Sequence, residues 1–169
     1  MLGYLNDPEL TKNSFTADGW FRTNDLGHFD ENGELRIKGR YDDLIVLPTG
    51  NKVNPNEIEP LFLKALKHSC SECAVAQYPN TSKQQLLAVS KEPGDLPRAA
   101  ISEVNRHLPK YSRASYVCVT DTQLPRGSKG QLIRKKLLDG IDLSRAVDWR
   151  LTLNGPYDGY PVRQVRQDG

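Results

Sequence analysis

Cys70-Ser71-Glu72-Cys73 has the C-x-x-C spacing of redox dithiols and of half a zinc site. A structural zinc ion needs four ligands, and no second C-x-x-C follows. The chain has three cysteines, the last being Cys118, and an odd count fits a reducing cytoplasm. Cys73 opens the apolar run Cys73-Ala74-Val75-Ala76, where a thiol packs as a small hydrophobe. His28, His68 and His107 are scattered, and neither a catalytic triad nor a metal set can be assembled from them. Arg134-Lys135-Lys136 is a short basic run that reads as a solvated helix face.

The elements follow from local pattern. Asn6 or Asp7 caps a short helix with Pro8 in its first turn. Leu26 to Lys38 reads as a hairpin around Glu31-Asn32-Gly33, with Asn-Gly expected to take positive φ at both turn positions. Leu44 to Leu47 reads as a buried strand stopped by Pro48 and Gly50. Asn54-Pro55-Asn56-Glu57 is a helix start, and Ile58, Leu61, Phe62, Ala65 and Leu66 mark its buried face. Strands are predicted from Cys73 to Tyr78 and Gln85 to Ser90, a helix from Leu96 to Leu108, and a strand from Tyr116 to Thr120. A last helix containing Ile133 and Leu137 follows the loop Leu124 to Gly130. This order predicts an α+β domain, a small sheet covered by helices, preceded by a β-hairpin. After Gly140 the pattern weakens, although Asp148 to Leu153 reads as a further strand or a surface segment.

A length of 169 residues allows one ordinary domain with a short appendage. With 37% hydrophobic and 26% charged residues, the composition is that of a globular chain. No apolar run reaches the roughly 18 residues of a membrane span, and Met1-Leu2-Gly3-Tyr4 does not open a secretory signal. A net charge of +2 argues against electrostatically driven nucleic-acid binding.

Two strings carry the functional information. They are Gly19-Trp20-Phe21-Arg22-Thr23-Asn24-Asp25-Leu26-Gly27 and the stretch from Gly39-Arg40-Tyr41-Asp42 through Asn54-Pro55-Asn56-Glu57-Ile58-Glu59. Together they resemble the hinge region of the adenylate-forming enzymes: acyl-CoA synthetases, luciferases and nonribosomal peptide synthetase adenylation domains. The likeness runs from Gly3 to about Leu138 and includes Leu108-Pro109-Lys110-Tyr111 and Leu124-Pro125-Arg126-Gly127-Ser128-Lys129-Gly130-Gln131-Leu132-Ile133-Arg134. It implies residues 1–38 as the end of a large N-terminal domain, 39–43 as a hinge, 44–140 as the C-terminal α+β domain, and 141–169 as a tail or linker.

The resemblance also implies site roles. Asp25 stands where the family accepts hydrogen bonds from the ATP ribose hydroxyls, a task that suits a carboxylate. The family's usual glycine before it is Asn24 here. Arg40 would face the nucleotide, Asp42 would be the pivot of a domain rotation, and Gly50 would lie on the loop approaching the thiol acceptor. The catalytic lysine of the family directly follows a glycine, and that position is Gln131. Either Lys129 takes the role, in a Lys-Gly order similar to fungal synthetase-like carboxylate reductases, or the lysine function is lost.

The implied reaction is activation of a carboxylic acid by Mg-ATP, then transfer to CoA or carrier-protein phosphopantetheine. Its partners would be an N-terminal adenylation domain and, on the second alternative, a carrier protein. No Gly/Ser/Thr-rich phosphate loop with a lysine is present and no aromatic adenine pocket precedes Gly3, so the chain is expected to be inactive alone. The rival reading is a noncatalytic module that docks to a separate N-terminal half or carrier protein.

Overall fold

The computed structural model describes residues 1–67, 69–79, 86–90 and 97–148, with residues 86–90 described by backbone alone. They fall into two compact units, Met1–Asp43 and a second that begins at Leu44.

The first unit opens with helix α1, Pro8–Asn13. The Asp7 carboxylate accepts from the Leu10 amide at 2.8 Å, satisfying one of the amides that a helix start leaves over. Strands β1, Asp25–Phe29, and β2, Leu35–Arg40, form an antiparallel hairpin. The turn between them differs from the expected pair of left-handed residues. Only Gly33 has positive φ, at 78°. The Asp30 side chain explains the change: its Oδ1 accepts from the amides of Asn32 and Glu34, both at 3.0 Å. The result is a three-residue loop with its left-handed glycine last. These bonds, with the Arg36 guanidinium after that of Glu34, hold the Asp30 carboxyl below its usual range. No residue from 1 to 43 is buried.

The second unit starts with a two-stranded ribbon, β3 Ile45–Val46 and β4 Lys52–Val53. The buried strand expected over Leu44 to Leu47 is thus shorter, and Val46 is exposed while Leu47 is buried. Two antiparallel residues alternate faces, so one side of so short a ribbon must meet solvent. Helix α2, Pro55–Ala65, follows an Asn54 cap whose side chain accepts from the Asn56 amide. Ile58, Phe62 and Leu66 are buried, and Leu61 of the expected face is exposed.

A four-stranded sheet carries the rest: β5 Cys73–Gln77, β6 Leu86–Ser90, β7 Ala114–Val119 and β8 Val147–Asp148, in that spatial order. The parallel β6–β7 pair is joined through helix α3, Arg98–His107, as a parallel pair requires a crossover. Asn105 fixes α3 to β7, its side chain donating to and accepting from the Ala114 backbone at 3.0 Å each.

Period-two alternation splits the core across the sheet. Val75 and Val117 face Phe62, Ile58 and Ile101. Ala74, Ala76, Tyr116 and Cys118 face Leu124, Leu137 and Ala146. The second face corrects two expectations. The helix predicted around Ile133 and Leu137 is only a 3-10 turn, Arg134–Lys136. The Ile133 amide is committed to the Pro125 carbonyl at 2.8 Å and Arg134 to α2, so tertiary anchors override helix propensity. Ile141 to Asp148, placed in the tail on sequence, supply the buried Ala146 and strand β8. The strand expected at Asp148 to Leu153 otherwise lies outside the described residues, as does the end of the tail.

One ion pair links these layers. Arg134 grips Glu59 of α2 through both oxygens, at 2.5 and 2.9 Å, and both side chains are at most 15% exposed. Glu59 Oε1 also accepts from the Val75 amide of β5 at 2.7 Å, and Arg134 donates to the Val75 carbonyl. Removing one partner strands a buried charge, so Arg134→Ala is expected to cost roughly 3–5 kcal/mol. Arg36→Ala, at an exposed pair, should cost below about 1 kcal/mol. Urea unfolding of the two variants checks the contrast, and equal midpoints would contradict it.

Candidate functional site

The β1–β2 hairpin assembles the first group of site residues. Asp25 and Arg40 are register partners at its open end, and Arg40 Nε lies 3.6 Å from Asp25 Oδ1. The Asp25 side chain is 35% exposed and that of Arg40 55%, so the pair is open to a ligand and weakly bound to itself. Asp25 Oδ2 makes no hydrogen bond among the described residues, which leaves acceptor capacity for hydroxyl donors.

Asn24 joins this end to the residues that follow β2. Its backbone is left-handed, with φ 60°, and its carbonyl accepts from the Tyr41 amide at 2.8 Å. Its Nδ2 donates to Asp42 Oδ2 at 3.0 Å. Asp42 lies in a 3-10 turn, Tyr41–Asp43, that ends the first unit. The sequence shows Asn24 in place of the family's usual glycine but does not reveal its bond to Asp42. The available signal was a side-chain amide where a glycine is usual.

Gly50 and Lys129 belong to the second unit, each at a turn tip. Gly50 closes the β3–β4 turn, with its amide on the Leu47 carbonyl at 2.8 Å, and nothing lies within 4 Å of where its Cβ would be. Lys129 sits in a narrow loop made by the Arg126–Leu132 bridge and two 2.9 Å bonds, Gly127 amide to Gln131 carbonyl and Gly130 amide to Gly127 carbonyl. Gly130 supplies the left-handed residue, φ 78°. The loop presents Lys129 to solvent, and its ammonium has no ion pair among the described residues.

Gln131 is also exposed, but its side chain folds back over Gly127. A Cβ at residue 127 would run into the Gln131 side-chain amide, which would then have to swing aside. Residue 129 thus holds an exposed cation, and residue 131 a neutral amide.

Cys70 and Cys118 are buried, Cys73 is half-buried, and all three thiols are free. Burial pushes the Cys73 thiol far up, with Cys70 and Glu59 adding to it, and burial likewise raises Cys118. His107 pairs with Glu103 at 2.9 Å, and His68 lies outside the described residues. Among the described residues no three His, Cys, Asp or Glu side chains converge to hold a metal, and no helix is long and apolar enough to cross a membrane.

The profile of the AMP-binding enzyme C-terminal domain matches residues 42–140. The chain belongs to this family. It is 34% identical over 145 residues to aspulvinone E synthetase of Aspergillus terreus, covering 79% of this chain and 16% of that protein. It is 35% identical over 143 residues to the long-chain-fatty-acid–CoA ligase of Salmonella typhimurium, covering 82% and 24%. The chain therefore spans a quarter or less of these relatives. Among solved structures it resembles O-succinylbenzoate coenzyme A synthetase from Bacillus subtilis in complex with AMP. That match has a TM-score of 0.68 and 28% identity, over 82% of this chain and 28% of that one. ATP-bound MatB from Rhodopseudomonas palustris matches at TM-score 0.64 and 31% identity, over 80% and 27%.

The left-handed Asn24 gives a direct test of the hairpin end. Asn24→Ala is expected to weaken it by roughly 1–2 kcal/mol, since alanine pays the full cost of that φ and loses the Asp42 bond. Asn24→Gly should cost less, because it removes only the bond. Hydrogen exchange of the Tyr41 amide reads both, and unchanged protection in Asn24→Ala would refute the dependence.

Proposed function

We propose that this chain forms the C-terminal part of an ATP-dependent ligase that joins a carboxylic acid to a thiol through an acyl-adenylate. The observation that carries this reading is the register pair Asp25–Arg40, set beside Asn24 and Asp42, in a chain of the AMP-binding family. Relatives named as CoA ligases and neighbours solved with AMP, ATP or an acyl-adenylate support the same chemistry.

In this scheme the nucleotide is a substrate shared with a large N-terminal adenylation domain. Asp25 accepts from the ribose hydroxyls, for which its free Oδ2 is suited, and Arg40 offers a planar fork of donors to phosphate or ribose oxygens. Lys129 brings a point charge to the carboxylate and α-phosphate oxygens as charge builds in the transition state. Asp42 is the pivot, adjoining the boundary between the two units at Asp43 and Leu44. Gly50, at a turn tip with open space around it, lies on the path of the thiol of CoA or phosphopantetheine. Magnesium accompanies the nucleotide phosphates. The described residues offer it no ligand cluster, so no residue here is assigned to it.

The hairpin supports a covering N-terminal domain. Phe29, Leu35 and Ile37 share one face and are 73%, 58% and 62% exposed. An apolar face on so thin a unit is the kind of surface that another domain buries. The second reading, a noncatalytic docking module, is favoured by one residue, the neutral Gln131 where the family keeps its lysine.

One variant pair separates the readings in the full-length protein that contains this chain. Lys129→Ala is expected to slow acid-dependent ATP–pyrophosphate exchange on the order of 10²-fold or more, with Gln131→Ala nearly silent. Exchange that survives Lys129→Ala leaves the docking module as the better account. Asp42→Pro tests the pivot, since proline fixes φ near −65° and blocks one of two backbone states. Adenylation should persist better than thioester formation, and equal loss of both with a native circular dichroism spectrum would make Asp42 merely structural.

A further inference from the structure

We propose that Arg126, held in place by Glu72, is a positioning residue that sets where Lys129 is presented; this rests on the adenylation role given to Lys129 above. Arg126 Nη1 donates to the Gly130 carbonyl at 2.6 Å. Its Nε donates to Glu72 Oε1 at 3.0 Å, and Nη2 contacts the same oxygen. One guanidinium therefore spans from the segment before β5 to the carbonyl of the residue that follows Lys129.

The lysine side chain has four rotatable carbons and no partner of its own among the described residues. Its reach is therefore set by the backbone turn on which it stands. That turn is short, with the Gly127 and Gly130 bonds at its base. The Gly130 carbonyl would otherwise point to water, leaving the tip free to rotate about its glycines. Arg126 closes that freedom by its bond to the Gly130 carbonyl.

Glu72 has a second effect. By occupying two of the Arg126 donors, it keeps that guanidinium from competing with Lys129 for an anionic substrate. The fork geometry matters, because the Glu72 and Gly130 oxygens lie in different directions and a single ammonium cannot hold both in the same way. Side-chain exposures of 46% for Arg126 and 23% for Glu72 mean that the pair adds little to folding stability. Its consequence is geometric, which makes it separable from a structural role.

The test uses the full-length protein and two assays: acid-dependent ATP–pyrophosphate exchange, and thioester formation from preformed acyl-adenylate. Arg126→Ala is expected to lower kcat of exchange by about 10- to 10²-fold, the scale of a misplaced catalytic group, with KM for ATP unchanged and thioester formation retained. Arg126→Lys should recover part of the rate. Glu72→Gln, which keeps the shape but not the charge, should lower exchange less than Arg126→Ala. The double variant should be no slower than Arg126→Ala alone, because both residues act through one contact. If Lys129→Ala abolishes exchange while Arg126→Ala and Glu72→Gln leave it intact, the positioning role fails and the Lys129 assignment stands. If Lys129→Ala is itself silent, both fail. A joint fall of both assays with a lower melting temperature would make Arg126 structural and overturn the proposal.

Discussion

The second unit is organised around the buried grip of Arg134 on Glu59. Glu59 lies on the first helix after the unit boundary, Arg134 at the end of the lysine-bearing loop, and Val75 between them lends its amide and carbonyl. A buried ion pair is a poor source of net stability, because desolvation offsets most of the attraction. Breaking it is costly all the same, since a half-made pair leaves an uncompensated buried charge. Here it fixes the stem of the Lys129 loop relative to α2 and the sheet edge. The loop tip can then be adjusted by weaker contacts without the stem moving.

Much of this arrangement is legible in the residues. Asn54-Pro55 starts α2, the apolar runs within Cys73 to Gln77 and Ala114 to Val119 build a sheet buried on both faces, and Asn32-Gly33 marks a hairpin. Errors arise where a long-range contact outweighs a local preference. Ile133 to Leu137 has helical spacing, but the Pro125 carbonyl and Glu59 claim its backbone and side chain first. At the hairpin, the Asp30 carboxylate reshapes the turn that Asn-Gly alone would make.

The site is legible to a different degree. Asp25 and Arg40 stand fifteen positions apart, and a hairpin reading is enough to bring them to one end of a ribbon. Glu72 and Arg126 are joined by side chains across 54 positions. Nothing in local pattern links a glutamate inside a C-x-x-C to an arginine in a glycine loop. Of the two residues between those cysteines, it is Glu72 that touches the loop.

The absence of any buried residue in Met1–Asp43 has a thermodynamic meaning. Such a segment has little core of its own to offset its chain entropy, so on the proposed function its order would be linked to a domain covering Phe29, Leu35 and Ile37. Occupancy of that apolar face and the register of the hairpin then become one equilibrium. Because Asp25 and Arg40 are partners in that register, a domain that covered the apolar face would raise the fraction of molecules in which the two side chains meet.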